Sequence, residues 1–463
     1  MEHKITDRKR TMIFINIVIT CIASSMLATA LTTALPSMIT DLGISVTTGQ
    51  WLTSGYSLAM GIIMPLTAFL ITRFPTKRLF LTGMILFILG LALCVIAPNF
   101  PVMMAARILQ ACGNGILTSM SQVIILTIFP LEKRGTAMGW YGLSVGAAPV
   151  IAPTLAGIIV DLFGWRAIFY ISIGIMLVSF IWALFAFDNV LETAKKKFDM
   201  ISFGISIFAF GGITLGIGNI GTYDWTSPQA LPVLVIGCVA AALFVYRQLH
   251  LEEPFLELRI LKNKDYAVSV IGSMLLYFVM MGSSMLMPLY AQSVMGYSAT
   301  VSGLIVLPGS AVMAVISPFA GKIYDKLGMK ILFLVGAACM TISCGGMCLI
   351  TMDTPVWVAA GWNTLRTTAI GCLMMPLVTW GTEKIGFRMT AHGTALLTSL
   401  RTVAGAVGTA VFVGIMTAVR ESSVGRYGEA AGVHGINVTF FWMAAVSALL
   451  VLIGIFFVKR EAK

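Results

Sequence analysis

The sequence predicts an all-α membrane protein with fourteen transmembrane helices. Apolar runs of about 20 residues recur from end to end, each long enough to cross a hydrocarbon core of about 30 Å. Only 11% of the 463 residues are charged and 58% are hydrophobic, whereas soluble domains carry about 25% charged residues. Basic residues cluster between alternate apolar runs, which sets an orientation as well as a count.

The first span is 12–36, after Lys4, Arg8, Lys9 and Arg10. No small-residue cleavage site follows it, so it reads as a retained helix. Spans 51–72 and 79–97 flank a basic turn containing Arg73, Lys77 and Arg78. Spans 101–128 and 136–160 meet at Lys133 and Arg134, and span 165–187 closes a first group of six. Spans 199–220 and 229–248 lie between two polar stretches, Glu192–Asp199 and His250–Asp265. Six more follow at 266–292, 300–321, 329–352, 355–381, 392–419 and 436–458. An even number returns both termini to one side. With the amino terminus in the cytoplasm, only Arg166, Arg420 and Arg426 fall outside, and Arg107, Arg366 and Arg401 lie within spans. Orientation in a membrane therefore explains the net charge of +11 without nucleic acid.

The order suggests a 6+2+6 layout: a six-helix unit at 1–191, an inserted pair at 192–250 and a second six-helix unit at 251–463. A trace of repetition supports it, since AFLITRFPTKRLF (68–80) and AGKIYDKLGMKILF (320–333) each follow the second span of a unit. The eight cysteines are scattered singly and the four histidines form no HExxH pattern, so neither a disulfide framework nor a metal site is expected. No cofactor is expected. GxxxxGK[ST] is absent, which argues against direct use of ATP.

Several segments resemble the major facilitator superfamily. Gly321, Asp325, Lys326, Gly328 and Lys330 match its cytoplasmic loop motif. ARILQACGNG (106–115), with Arg107 and Asn114, is similar to its fourth-helix pattern. GLSVGAAPVIAPTLAG (142–157), with Gly142, Gly146, Pro149, Pro153 and Gly157, is similar to the fifth-helix signature of proton-driven exporters. WRAIFYI (165–171), LRTTAIGCLMMP (365–376) and AHGTALLTSLRTVAGAVGTA (391–410) also resemble the fourteen-helix drug:proton antiporters, especially the lincomycin-type multidrug exporters. The resemblance implies a monomeric secondary transporter of the bacterial inner membrane. Its partners would be protons, a small-molecule substrate and the lipid bilayer, with antibiotic resistance as the physiological outcome.

An arginine at membrane depth costs at least about 2.5 kcal/mol unless it is paired or wetted. Arg107, Arg366 and Arg401 are therefore either pathway residues, as the resemblance implies, or structural posts bonded to carbonyls of neighbouring helices. Thr29, Thr32, Thr33 and Tyr56 are candidates for the cavity wall. The fifth-helix glycines and prolines are either a moving joint or ordinary small-residue packing. Asp325 is either a solvated loop charge or, as in the family, a gate latch that closes an inter-helix ion pair. In the first copy of the loop motif Thr72 stands at the acidic position and Pro75 at the glycine, so a charge latch would rest on the second copy alone.

Relatives often carry an aspartate in the first helix; here Leu27 stands in its place. No acidic residue lies near the middle of a span, so the interior offers arginines and no carboxylate. That favours anionic, zwitterionic or neutral substrates over permanent cations. Proton coupling would rest on an edge carboxylate such as Asp161 or on the substrate's own acid group. A dedicated transporter of one anionic or zwitterionic metabolite would share all these features, and a membrane enzyme would need a catalytic cluster that the sequence lacks.

Overall fold

The computed structural model describes residues 6–191, 193, 199–220, 227–297, 299–386 and 389–459. Among them are fourteen α-helices. The first seven are α1 (Asp7–Leu42), α2 (Val46–Arg73), α3 (Thr76–Ile96), α4 (Phe100–Ile128), α5 (Arg134–Phe163), α6 (Arg166–Ala186) and α7 (Met200–Ile220). The others are α8 (Leu231–His250), α9 (Lys264–Pro288), α10 (Ala299–Leu327), α11 (Met329–Met347), α12 (Val356–Glu383), α13 (Thr390–Tyr427) and α14 (Ala431–Phe456). A π-helical turn, Leu289–Val294, extends α9 beyond Pro288, where the missing proline N–H loosens the regular ladder.

By length and composition, eleven stretches of the described residues are apolar enough to cross a membrane, the last running through α13 and α14. Helix α12 is not among them. The polarity is inverted relative to a soluble protein. Phe185, Leu349 and Phe456 are largely exposed, while Asn16, Gln110, Gln122 and Arg107 are buried. That is the arrangement expected where lipid is the outer solvent.

Local sequence explains the boundaries. Gly43 takes the left-handed conformation that ends α1, and Ser45 caps α2 by accepting from the Thr48 N–H at 3.1 Å. Asn99 and Asn263 cap α4 and α9 in the same way. On one face the starts of α3, α5 and α9 meet the ends of α6, α10 and α12. There Lys77 donates to the Leu184 carbonyl at 2.6 Å and Asn263 to that of Lys384 at 2.9 Å. Lys9 pairs with Asp188 on this same face, here termed the basic face. On the other face Arg166 bonds Asp41 at 2.6 Å, which with the Trp165 N–H holds that carboxyl below its usual range.

The packing pattern occurs twice. Helix α4 lies against α2 and α3, and α12 lies against α10 and α11. The pairs α1–α5 and α3–α6 recur as α9–α13 and α11–α14, a shift of eight helices. The two sets meet along α5–α10 and α2–α13, with further contacts of α5 to α12 and of α4 to α13. The α7–α8 hairpin is stapled by Arg247 on Asp199 at 3.1 Å and Gln248 on Ser202 at 2.7 Å. Its α7 side rests on α2 and α13. Phe255, in the connection to α9, stacks on Phe69 of α2.

Candidate functional site

Helix α5 carries Gly135, Gly139, Gly142 and Gly146 at intervals of four, three and four, which places them on one face. That face meets the other set of helices. A Cβ on Gly139 would lie 2.5 Å from the Ser317 carbonyl oxygen, and one on Gly321 would overlap the carbonyl of Gly135. Backbone touches backbone here, which only glycine permits. Gly142 and Gly146 face Met375 and Met313, so they too belong to the seam. Gly157 faces open space. The fifth-helix motif thus works as seam packing in its first part and not in its last. Gly135 and Gly139 were legible as a backward extension of the same glycine stripe.

At the basic face Asp325 closes the seam. Its Oδ1 accepts from the Gly135 N–H at 2.8 Å, and its Oδ2 accepts from the Thr136 N–H at 2.7 Å and the Thr136 hydroxyl at 2.6 Å. The contact joins two helices, and among the described residues its partner is the amino-terminal end of α5 and not a basic side chain. Free N–H groups and the positive end of the helix dipole supply the attraction. Beside it Tyr324 donates to Glu383 at 2.7 Å, within the field of Arg134. Of the other motif residues, Lys326 is exposed and Lys330 half-buried, while Gly328 takes φ 75° in the turn between α10 and α11. Thr72 donates to the Phe69 carbonyl of its own helix at 2.8 Å and joins nothing across a seam.

The three buried arginines occupy different surroundings. Arg107 lies within the first set of helices. Its Nε donates to the Leu52 carbonyl at 3.1 Å, its Nη1 donates to Gln110, and its guanidinium sits 4.0 Å from the centre of the Tyr56 ring. Asn114 bonds the Tyr56 hydroxyl at 2.7 Å, so Arg107, Tyr56 and Asn114 form one cluster. Arg366 lies within the second set, with Cys344 of α11 nearby, and donates to Asn363. Its Nε and Nη1 have no hydrogen-bond partner among the described residues. Arg401 stands 4.7 Å from the Tyr277 ring centre, and its charge also reaches Tyr141 of α5. Its Nε and Nη1 are buried and have no hydrogen-bond partner among the described residues.

Thr33 is half-buried on α1. Asp161 is exposed in the last turn of α5, far along that helix from the Asp325 contact. The side chains of Thr29, Thr32, Pro149 and Pro153 lie outside the described residues. Among the described residues no cluster of histidine, cysteine or acidic side chains is placed to hold a metal.

Comparison with known proteins agrees with this architecture. A match to the Major Facilitator Superfamily covers residues 13–409. The chain belongs to that superfamily. It is 36% identical to YcnB of Bacillus subtilis, an uncharacterized transporter of this type, over 94% of the chain and 92% of that protein. It is 34% identical to the lincomycin resistance protein LmrB of the same organism, over 93% of the chain and 92% of that protein. The solved structure of the proton:xylose symporter XylE superimposes with a TM-score of 0.68 at 14% identity, covering 98% of this chain and 97% of that one. This facilitator is therefore an integral membrane transporter and not an enzyme.

Proposed function

We propose that this facilitator exports amphipathic small molecules by alternating access, driven by proton antiport. Fourteen transmembrane helices in a 6+2+6 arrangement would form units at 1–191 and 251–463, with the pair at 192–250 as an insertion. The basic face would lie in the cytoplasm with both termini, in the inner membrane of a bacterium. The observation that carries the reading is the α5–α10 seam. Glycine contacts and a detachable carboxylate cap make an interface that can close tightly and also separate, as rocking of two units requires. The likeness to LmrB supports drug efflux and antibiotic resistance as the outcome.

In this reading the structure's state is closed at the cytoplasm. Arg107 with Tyr56 and Asn114, Arg366 and Arg401 line or brace the route, and Thr29, Thr32 and Thr33 belong to its wall. Asp161 is too exposed to sense a proton inside the pathway. Glu383, beside the latch, is the carboxylate better placed to couple protonation to the gate. The absence of a deep carboxylate on any described helix favours anionic, zwitterionic or neutral substrates. A monomer suffices, because both units of the seam come from one chain.

Proteoliposomes with an acidic lumen and a panel including lincomycin test the reading. Uptake that collapses with a protonophore is expected for several unrelated amphiphiles. Uptake indifferent to the pH gradient would remove proton antiport. Uptake of one metabolite alone would replace multidrug export with a dedicated transporter.

A further inference from the structure

Arg107 and Arg366 are each enclosed by helices of their own set, whereas Arg401 lies where the sets meet. It stands eleven positions inside α13, about 16 Å from the basic face at 1.5 Å per residue. Tyr141 stands seven positions inside α5, about 10 Å from that face. Between them is a buried polar layer contributed by both sets. The Tyr141 hydroxyl is buried beside Cys21 of α1 and Gln122 of α4, without a hydrogen bond of good geometry to any described residue. The Gln122 Oε1 and the hydroxyls of Thr394, Thr398 and Ser399 on α13 are likewise buried without partners.

Buried polar groups without partners are rare in folded proteins, and several in one layer point to a missing ligand. The charge in the layer is 4% exposed and makes no ion pair with a described carboxylate. Its Nε and Nη1 offer donors on two edges of the guanidinium, a charged group that suits an oxyanion. The Tyr277 ring supports one face of the guanidinium. Gln122 supplies an acceptor on the opposite wall, so the layer is matched to a group bearing both an oxyanion and an N–H or O–H.

We propose that Arg401, with Gln122 and Tyr141 facing it across the seam, is the head-group site for the substrate's oxyanion. The apolar body of the amphiphile would extend away from the basic face, between α4, α5, α9 and α13. The site has a consequence for gating. Its two walls belong to different sets of helices, so rocking of the sets between the two faces changes how the acid group is held. This inference rests on the export reading and names the substrate class, an amphiphilic carboxylate or equivalent oxyanion.

The test uses the full-length protein in proteoliposomes and three matched probes: naphthylacetate, naphthylacetamide and a naphthylethyl trimethylammonium. Wild type is expected to bind and transport the carboxylate best. Arg401→Gln should weaken the carboxylate about tenfold while the neutral amide stays within about twofold, and Arg401→Lys should recover part of the loss. Arg366→Gln should leave the carboxylate-to-amide ratio unchanged even if rates fall. Size-exclusion profiles and thermal melts establish that each variant is folded. The inference fails if Arg401→Gln weakens both probes equally in a folded protein, or if Arg366→Gln alone erases the ratio. It also fails if the ammonium probe binds best. Sodium chloride or inorganic phosphate displacing naphthylacetate at equal concentration would reassign the site to inorganic anions. Carboxylate binding without gradient-driven transport would sink the export reading and leave the head-group site standing. Gradient-driven transport of the amide without carboxylate preference would do the reverse.

Discussion

The α5–α10 and α2–α13 seams are related by the same shift of eight helices, yet their glycines face opposite ways. On α5 they meet the other set, at Ser317, Gly321, Met313 and Met375. On α13 Gly405 and Gly408 meet Met281 and Phe278 of α9, within their own set. The caps differ too. Asp325 reaches across to the start of α5, whereas Thr72, in the matching place, bonds its own helix. The start of α13 is tied to its own side by the Tyr266 hydroxyl on the Gly393 carbonyl and the Glu257 N–H on His392. The difference teaches that a repeated architecture need not have a repeated gate: one seam closes on backbone and charge, and the other is a looser contact.

The sharpest way to break this comparison is Gly321→Val. The added carbons would occupy the Gly135 carbonyl, and overpacking of this kind costs about 1–3 kcal/mol or more. Closure at the basic face should be lost, and transport with it, while a cysteine placed at Thr136 should become reactive toward maleimide from that side. Transport near the wild-type rate would mean that the backbones do not meet in the working cycle.

Asp325→Asn should act next most strongly. It keeps one acceptor oxygen but removes the charge from hydrogen bonds worth about 1.5–3 kcal/mol. The closed population should fall about tenfold or more, with reduced turnover and little change in melting temperature. A loss of folding without a shift in accessibility would make Asp325 a structural cap only.

Two smaller effects sharpen the asymmetry. Thr72→Asp restores the acidic position of the first copy but should leave the α5–α10 closure unchanged, because α13 is held from its own side. A closure strengthened as much as Asp325→Asn weakens it would show two equivalent latches. Gly157→Ala should be silent in transport, since a Cβ there meets nothing, and helix propensity favours alanine by about 1 kcal/mol. Impaired transport by this variant would extend the working seam to the far end of α5.

Helix positions were largely readable in advance because each apolar run is bounded by caps, charges or proline. The expected span 136–160 corresponds to Arg134–Phe163, and 355–381 to Val356–Glu383. Interactions were less readable where backbone supplies them. The family resemblance implied an ion pair at Asp325, but its partners are amide groups of α5, which side-chain identity does not display. Depth without direction was the other limit. Arg107, Arg366 and Arg401 all read as buried charges, and only packing separates the two enclosed within one set from the one at the seam. Gln122 and Tyr141 carried no signal, since isolated polar residues in apolar runs are common and their convergence depends on tertiary contacts.

The most direct measurement is the distance between spin labels at Glu132 and Lys326, both exposed at the basic face on opposite sides of the α5–α10 seam. The labels are placed in a background lacking the eight native cysteines. Alternating access predicts two distance populations in lipid, with a pH gradient and substrate redistributing them and Asp325→Asn enriching the longer one. A single short distance, unmoved by substrate, gradient or the Asp325→Asn substitution, would contradict a gate at this seam.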